Sequence, residues 1–404
     1  MLNTIEEALE DFRQGRMLIV ADDEDRESEG DFVCAAALCT TEHVNFMVTH
    51  GRGLVCAPMD AKRVDALRLP MMAARNTSRF ETAFTVSVEA REGTTTGISA
   101  AERALTIRSL ANLQNGPDDF VSPGHVFPLR AREGGVLVRP GHTEATVDLA
   151  RLAGMEPVGA LCEIMNEDGS MARMPQLQEI SKKQGIKIIS VADLIAYRLR
   201  LEKLVVCEAA PKIPTEAGKF QVYGYRSLLD NTEHVAWVNG NIDPEGITNV
   251  RVHSECLTGD VFHSMRCDCG EQLQAAMRYI GKHGGVLLYM RGHEGRGIGL
   301  INKLKAYELQ EQGLDTVEAN VHLGFKPDMR SYGIGAQILA DLGVRRMRLL
   351  TNNPRKLEGL AGFNLEIVER IPIEIRPNPV NQTYMQTKRD KMGHILQQPL
   401  EPSA

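Results

Sequence analysis

Apolar and polar positions along this chain alternate in two distinct periods. Near the start, Ile5, Ala8, Leu9 and Phe12 recur at helical spacing behind Thr4-Ile-Glu-Glu7, a capping-box pattern, and Gly15 is placed to close that helix in a left-handed conformation. Met17 to Ala21 is a short apolar run that predicts a buried strand. Ser190-Val-Ala-Asp193 caps a further helix running to about Val205, with Leu194, Ile195, Leu199 and Leu201 among its apolar positions. The stretch CEAAPKIPTEAG, Cys207 to Gly218, is rich in proline and carries neither period, so it reads as a joint between domains with the boundary near residue 200. Phe220 to Tyr225, His234 to Val238 and Thr248 to Val252 alternate as strands, and Glu271 to Gly281 is an amphipathic helix. Gly285 to Met290 is a buried strand feeding RGHEGRGIGL, Arg291 to Leu300, and then a helix, Ile301 to Gly313. Asp328 and Arg330 fall in a loop between a strand-like and a helical segment. The pattern predicts an α/β (α+β) chain of two domains, 1–201 and 202–404, each a mixed β-sheet core with flanking helices.

Composition narrows the class. At 404 residues, two domains of about 200 residues are the natural division. No apolar run approaches the roughly 20 residues needed to span a bilayer. The acidic start MLNTIEEALEDF does not read as a signal peptide, so a cytoplasmic protein away from membranes is expected. Eight cysteines without disulfide-type spacing fit a reducing compartment, and Cys34, Cys39 and Cys162, in apolar runs, read as core. A net charge of −7 argues against broad nucleic-acid binding.

Chemistry concentrates in three places. RVHSECLTGDVFHSMRCDCG, Arg251 to Gly270, offers Cys256, Cys267 and Cys269, and three thiolates with a fourth position left to water suit a catalytic zinc. Free core thiols, or a structural zinc completed by His253 or His263, are the alternatives at this point. DDEDRESEGD, Asp22 to Asp31, holds seven carboxylates in ten residues, which are costly to gather without a cation or a group such as Arg26. No glycine stands at the sixth position, so an EF-hand is a poor match. RPGHTEATVDLARLAG, Arg139 to Gly154, and CEIMNEDGSMAR, Cys162 to Arg173, add the donors of a mixed N/O site for Mg²⁺ or Mn²⁺. Finally, the strand, glycine-rich turn and helix around Arg291–Leu300 form a phosphate cradle that is neither GxGxxG nor a P-loop; Arg291 and Arg296 add charge.

These motifs carry two resemblances. DDEDRESEGD, TTTGISAAERA (94–104), PGHVFPLRAREGGVLVRPGHTEATVDLARLAG (123–154) and CEIM (162–165) resemble the 3,4-dihydroxy-2-butanone 4-phosphate synthase family over roughly residues 1–200. Ser28 departs from it, the family more often having Asn there. The resemblance implies conversion of D-ribulose 5-phosphate, Mg²⁺ or Mn²⁺ on Glu27 and His142, and sugar-phosphate contacts from Arg26, Asp31, Arg139 and Thr143. His125 and Glu163 would be essential to the chemistry, with Cys56 a candidate lining residue. Enolisation, dehydration and carbon migration pass through enediolate-like charge, which suits a divalent ion with carboxylates and a histidine to shuttle protons.

RVHSECLTGDVF…RCDCG, RGHEGRGIGLINKLKAYELQ, DTVEANVHLGF and LLTNNPRK resemble GTP cyclohydrolase II over roughly 205–400. That resemblance implies Zn²⁺ on Cys256, Cys267 and Cys269, opening of the guanine imidazole ring with loss of formate, and release of pyrophosphate. GTP would be surrounded by Arg251, Val252, His253, Ser254, Glu255, Gln272, Glu294, Gly295, Arg296, Thr316, Thr351 and Lys356. Asp328 would accept a proton, Arg330 would be the nucleophile toward the α-phosphorus, and Tyr307 would lie near the reacting base. Because arginine is normally protonated, charge stabilisation is the alternative role for Arg330. Together the halves resemble the bifunctional enzymes of riboflavin biosynthesis, and a homodimer is expected by family similarity. A nucleotide sensor with a structural zinc, or a second half serving only assembly, are the rival readings.

Overall fold

The computed structural model describes residues 2–22, 27–78, 80–325, 328, 330, 332–353, 356 and 364–395. The chain divides into two compact units, Met1–Leu201 and Glu202–Ala404.

In the first unit the helix Ile5–Arg13 (α1) starts where expected, with Thr4 Oγ1 accepting from Glu7 N (3.2 Å) and Glu7 returning a carboxylate to Thr4 N (3.3 Å). Gly15 stands at φ 76°. Seven strands follow: β1 (Leu18–Ala21), β2 (Gly30–Ala35), β3 (Cys56–Met59), β4 (Val88–Ala90), β5 (Phe120–Arg130), β6 (Gly159–Glu163) and β7 (Lys187–Ser190), in sheet order β4-β5-β3-β6-β2-β1-β7. Pairing is mixed: β1 runs parallel to β7 and β3 to β5, and the other pairs are antiparallel. Both faces are covered, so the strands read as continuous apolar runs rather than alternating ones. Leu18, Val20, Val33 and Leu161 pack on one face with Leu9, Phe12, Leu149 and Leu194, from α1 and two helices later in the chain. Ile19, Phe32, Cys34 and Cys162 pack on the other with Val44, Ile107, Leu110 and Leu177. The helices besides α1 are α2 (Thr41–Phe46), α3 (Ala61–Ala66), α4 (Ala100–Ala111), α5 (His142–Leu152), α6 (Met174–Gln184) and α7 (Val191–Leu201).

The second unit has β8 (Val205–Ala209), β9 (Lys212–Thr215), β10 (Gly218–Ser227), β11 (Glu233–Asn239), β12 (Ile247–Ser254), β13 (Gly285–Met290), β14 (Arg346–Leu350) and β15 (Glu366–Ile371), in order β15-β14-β12-β13-β11-β10-β8 with β9 also on β10. Its helices include α8 (Leu257–Asp260), α9 (Cys269–His283), α10 (Leu300–Glu311), α11 (Thr316–His322), α12 (Gly333–Asp341) and α13 (Gln382–Asp390). β12, β13, β14 and β15 are mutually parallel, and the chain turns after their carboxyl ends carry Glu255–Cys256, Arg291–Gly299 and Thr351–Asn353. That end of a parallel sheet is where ligands are ordinarily bound.

Three sequence expectations are corrected. The supposed joint, Cys207–Gly218, is taken up by the end of β8 and by β9, both strands pairing with β10. Their side chains are mostly exposed, which erases the apolar alternation, and Pro214 needs no ladder donor on such a strand. The strand-like segment ahead of Asp328 is the helix α11. Asp315 caps it, its carboxylate accepting from Val317 N (2.7 Å) and Glu318 N (3.0 Å), and this local cap outweighs the β-branched residues. The helix α7 also stops at Leu201, because Val205 already belongs to β8.

Candidate active sites

In the first unit Asp22, just after β1, and Glu27, ahead of β2, bring carboxylates to the start of α5. Asp22 accepts from the backbone N–H of Glu27 (3.2 Å) and Glu29 (2.8 Å), which pins the return into β2. The ligand atoms of Asp22, Glu27 and His142 all lie within 4.8 Å of one another. His142 Nδ1, at the start of α5, is 3.8 Å from Glu27 Oε2 and 3.7 Å from Asp31 Oδ2. Asp31 opposes Glu163 in the β2–β6 register. Burial, then the charges of Glu163, Glu27, Asp22 and Glu29, push the Asp31 carboxyl well above its ordinary range. Its Oδ1 is buried and has no hydrogen-bond partner among the described residues. Hard oxygen donors and an imidazole around an unsatisfied carboxylate fit a divalent cation.

Neighbouring groups are held by the backbone. Glu163 Oε2 accepts from Leu54 N (2.8 Å), and Gly53 allows this approach because a Cβ there would sit 2.6 Å from that oxygen. His125 of β5 meets Glu89 of β4 through Nδ1 and Oε1; its ring is 47% exposed and the carboxylate 12%. Gly97, at φ +77°, packs against the same carboxylate. Arg139 donates to Glu144 Oε2 (2.5 Å), to the Phe80 carbonyl (2.9 and 3.1 Å) and to Thr82 Oγ1 (3.1 Å), drawing that loop onto the start of α5 beside buried Thr143. Cys56 is buried, and burial followed by the charge of Glu163 pushes its thiol up, so it stays protonated. Cys34, Cys39 and Cys162 are core residues; Cys34 and Cys39 also approach His43.

In the second unit Cys256 follows β12, and Cys269 opens α9. Cys256 and Cys267 place their sulfurs 3.8 Å apart, and the sulfurs of all three cysteines lie within 4.8 Å of one another. Gly259 lies against them: a Cβ there would come 2.8 Å from Cys267 Sγ and 3.1 Å from Cys256 Sγ. Contacts from Cys267 and Cys269, with the Lys303 ammonium, draw the Cys256 thiol far down, while its partnership with Cys256 pushes Cys267 up to about 11. Three thiols this close ionise together only around a cation, and sulfur donors fit zinc. Lys303 Nζ donates to Cys256 Sγ (3.1 Å), Thr258 Oγ1 (2.8 Å) and Glu294 Oε1 (2.6 Å). Asp260 braces the other side, accepting from Cys256 N (3.0 Å) and Tyr289 Oη (2.8 Å) and meeting His253 Nε2 at 3.0 Å.

The thiols open into a cleft of about 1060 Å³. Of the residues expected around the nucleotide, Arg251, His253, Ser254, Glu255, Gln272, Gly295, Arg296, Thr316, Thr351 and Lys356 line it, with Tyr307 and Arg330. Val252 and Glu294 stand behind the wall: the Val252 carbonyl accepts from Lys356 Nζ (2.8 Å), and Glu294 Oε2 accepts from Leu257 N (2.6 Å). Asp328 backs Arg330, bonded Nε–Oδ1 at 2.8 Å and Nη2–Oδ2 at 2.5 Å. Burial works against the charge of Arg330, but these bonds hold its guanidinium above the ordinary value. Tyr307 Oη lies 3.4 Å from Thr258 Oγ1, its ring 5.0 Å from the Arg266 guanidinium. Arg26 falls outside the described residues.

Sequence reasoning did not assign Asp22, Glu89, His293, Lys303, Tyr384, Lys388 or His394. Asp22 lies within the acidic run, and His293 and Lys303 within RGHEGRGIGLINK, so the signal for them is their position inside these polar motifs. Glu89 carries no sequence signal, since its partner is 36 positions away.

The 3,4-dihydroxy-2-butanone 4-phosphate synthase family matches residues 6–197, and the GTP cyclohydrolase II family matches residues 206–372. A riboflavin biosynthesis protein RibBA from Aquifex aeolicus is 58% identical over 397 residues, covering 98% of both chains. The protein of that name from Bacillus mycoides is 58% identical, covering 98% of this chain and 100% of its own. Among solved structures, RibBX of A. baumannii, described as a two-domain 3,4-dihydroxy-2-butanone 4-phosphate synthase, is similar with a TM-score of 0.72 and 40% identity, over 93% of this chain and 100% of that one. The chain belongs to the bifunctional riboflavin biosynthesis family, in which a 3,4-dihydroxy-2-butanone 4-phosphate synthase and a GTP cyclohydrolase II share one polypeptide.

Proposed function

We propose that the two clusters run the family's two reactions at separate sites. The first unit, 1–201, converts D-ribulose 5-phosphate to L-3,4-dihydroxy-2-butanone 4-phosphate and formate. The second, 202–404, hydrolyses GTP to 2,5-diamino-6-ribosylamino-4(3H)-pyrimidinone 5′-phosphate, formate and pyrophosphate. One observation carries this reading: a hard oxygen and nitrogen donor set gathers in one unit, and a thiol set facing a cation-lined cleft in the other.

In the first site Glu27 and His142, joined by Asp22, would hold Mg²⁺ or Mn²⁺, whose charge stabilises enediolate-like oxygens. His125, oriented through Nδ1 by Glu89, is free to exchange a proton at Nε2. Glu163, aimed by the Leu54 N–H, is the second proton-transfer group. Arg139, Thr143 and Asp31 would contact the sugar phosphate, a role the family resemblance extends to Arg26.

In the second site Cys256, Cys267 and Cys269 would hold Zn²⁺, which lowers the pKa of water for attack on the guanine ring. Arg251, Arg296, Arg330 and Lys356 face the triphosphate, and Tyr307 lies beside the base. Arg330, its charge reinforced by Asp328, is better suited to stabilise charge on the α-phosphoryl group than to attack it.

The test is to offer the metal-stripped chain each substrate alone, with metals returned singly. Mg²⁺ should restore formate from ribulose 5-phosphate only, and Zn²⁺ should restore formate and pyrophosphate from GTP only. Intact GTP from zinc-loaded protein would overturn the second half of the proposal and leave that unit as a sensor or assembly surface. The homodimer and cytoplasmic location belong to the same proposal, checked by sedimentation and cell fractionation. No helix among the described residues is long and apolar enough to cross a membrane.

A further inference from the structure

The GTP cyclohydrolase II match ends at residue 372, yet the chain beyond it forms part of the cleft wall. α13 and the turn after it place Tyr384, Lys388 and His394 against the same space as the thiols and Arg330. This segment is fastened at both ends and in the middle. Asn378 Nδ2 donates to the carbonyl of Met265, ahead of Cys267 (3.2 Å), and Ile395 N donates to the carbonyl of Asn352, after β14 (2.9 Å). Between them Lys391 ion-pairs with Asp315 and with Glu318 (2.8 Å), at the start of α11, whose Thr316 also lines the cleft. Met385 is 2% exposed, so the helix is seated and not merely tethered.

Lys388 has a particular set of partners. Its ammonium donates to Asp268 Oδ1 (2.5 Å), the carboxylate between Cys267 and Cys269. The other oxygen, Asp268 Oδ2, accepts from Gln272 Nε2 (2.6 Å). That bond fixes which way the Gln272 amide faces, and its Oε1 accepts from Arg251 Nη2 (2.7 Å). Arg251 is fully buried toward its Nε, which has no hydrogen-bond partner among the described residues, while Nη1 is held by the Leu350 carbonyl (2.9 Å). Without Lys388, Asp268 would be a buried negative charge beside three thiols, and the amide would lose its reason to face Arg251.

We propose that Asn378–Ile395 is a strap completing the nucleotide site, and that Lys388 is its positioning residue, setting Arg251 through Asp268 and Gln272. The inference rests on reading the second unit as the GTP site. It extends the working site past the matched region, and its role is distinct from that of the zinc ligands.

The experiment uses the full chain, as Lys388→Met, Lys388→Arg and Lys388→Met with Asp268→Asn. Zinc content, melting temperature, kcat and KM for formate release from GTP, the Kd of GTP for metal-stripped protein, and ribulose 5-phosphate conversion are measured on each. Lys388→Met should lower kcat/KM for GTP by about 10–100-fold, the usual effect of losing an orienting partner, with zinc retained and the first activity unchanged. Lys388→Arg should recover most of that loss, and adding Asp268→Asn should cost little more, because both act through one chain of bonds. An unchanged kcat/KM, a loss that follows zinc content or melting, or failure of arginine to rescue would overturn the proposal. Should wild-type chain release no formate from GTP, the GTP-site reading fails instead, and the Kd comparison then decides the strap: an unaltered Kd in Lys388→Met rejects it.

Discussion

Ser28 stands at φ 59°, a left-handed conformation that asparagine tolerates better than serine. This gives a physical reason for the asparagine usual in the family at that position. Ser28→Asn should therefore raise stability slightly, by about 0.5 kcal/mol, on the scale of other relieved backbone conformations; urea unfolding showing destabilisation would refute it. Glu89 poses a different case. A lone acid in a strand pattern looks like an exposed edge residue, and only the folded register of β4 against β5 reveals it behind His125. Glu89→Gln should lower formate release from ribulose 5-phosphate by on the order of 10–100-fold, less than the 10²–10⁴ carried by a general acid–base itself. His293 gives a pH signature. Burial, then the charges of Arg330 and Lys356, lower its pKa to about 3, while the unfolded chain binds the proton near the ordinary value of about 6.5. Between those limits the unfolded state holds more protons, so stability is full above about pH 6.5 and falls by about 1.4 kcal/mol per unit as pH drops toward 3. His293→Asn should flatten that slope in the second unit, and identical slopes would remove His293 as its cause.

At the scale of elements, legibility followed locality. α1 was readable because cap, period and burial agree within it, whereas α9 and α10 have no side-chain cap and, like the strands β10 to β13, were readable from the residue pattern of the segment itself. β8 and β9 were not, because they pair through backbone groups that leave no mark on side-chain pattern when both faces are exposed. α13 went unassigned for a related reason. Its pocket-facing residues, Tyr384 and Lys388, are polar and its mean hydropathy low, so the sequence looks like solvated chain until the cleft supplies partners. The thiol turn illustrates the opposite situation: cysteine spacing was visible, but not the requirement for Gly259 that the close sulfurs impose. Gly259→Ala should expel zinc, since a Cβ at 2.8 Å from Cys267 Sγ displaces a ligand by more than coordination geometry allows. Metal analysis of the purified variant checks this, and full zinc content would show that the turn can yield.

For the whole molecule the question is whether the two chemistries are separable. Each unit owns its donor set and its core: the clusters on the first sheet contain residues only up to Tyr197, and those on the second begin at Val205. The donor sets also differ in kind, carboxylate and imidazole against thiolate, so Mg²⁺ gains little from the cysteines and a zinc bound there has no reason to leave for the carboxylates. Cys267→Ser should therefore abolish formate release from GTP and leave ribulose 5-phosphate conversion within about twofold of wild type, a change of only about 0.4 kcal/mol in activation free energy. Glu27→Ala should do the reverse, removing the Mg²⁺-dependent reaction and sparing GTP turnover. The pair is more informative than either variant, because a general loss of fold lowers both activities whereas loss of a metal lowers one. Should a variant that melts like wild type lose both activities, the sites communicate, and the second unit's metal would have to be counted among the determinants of the first reaction.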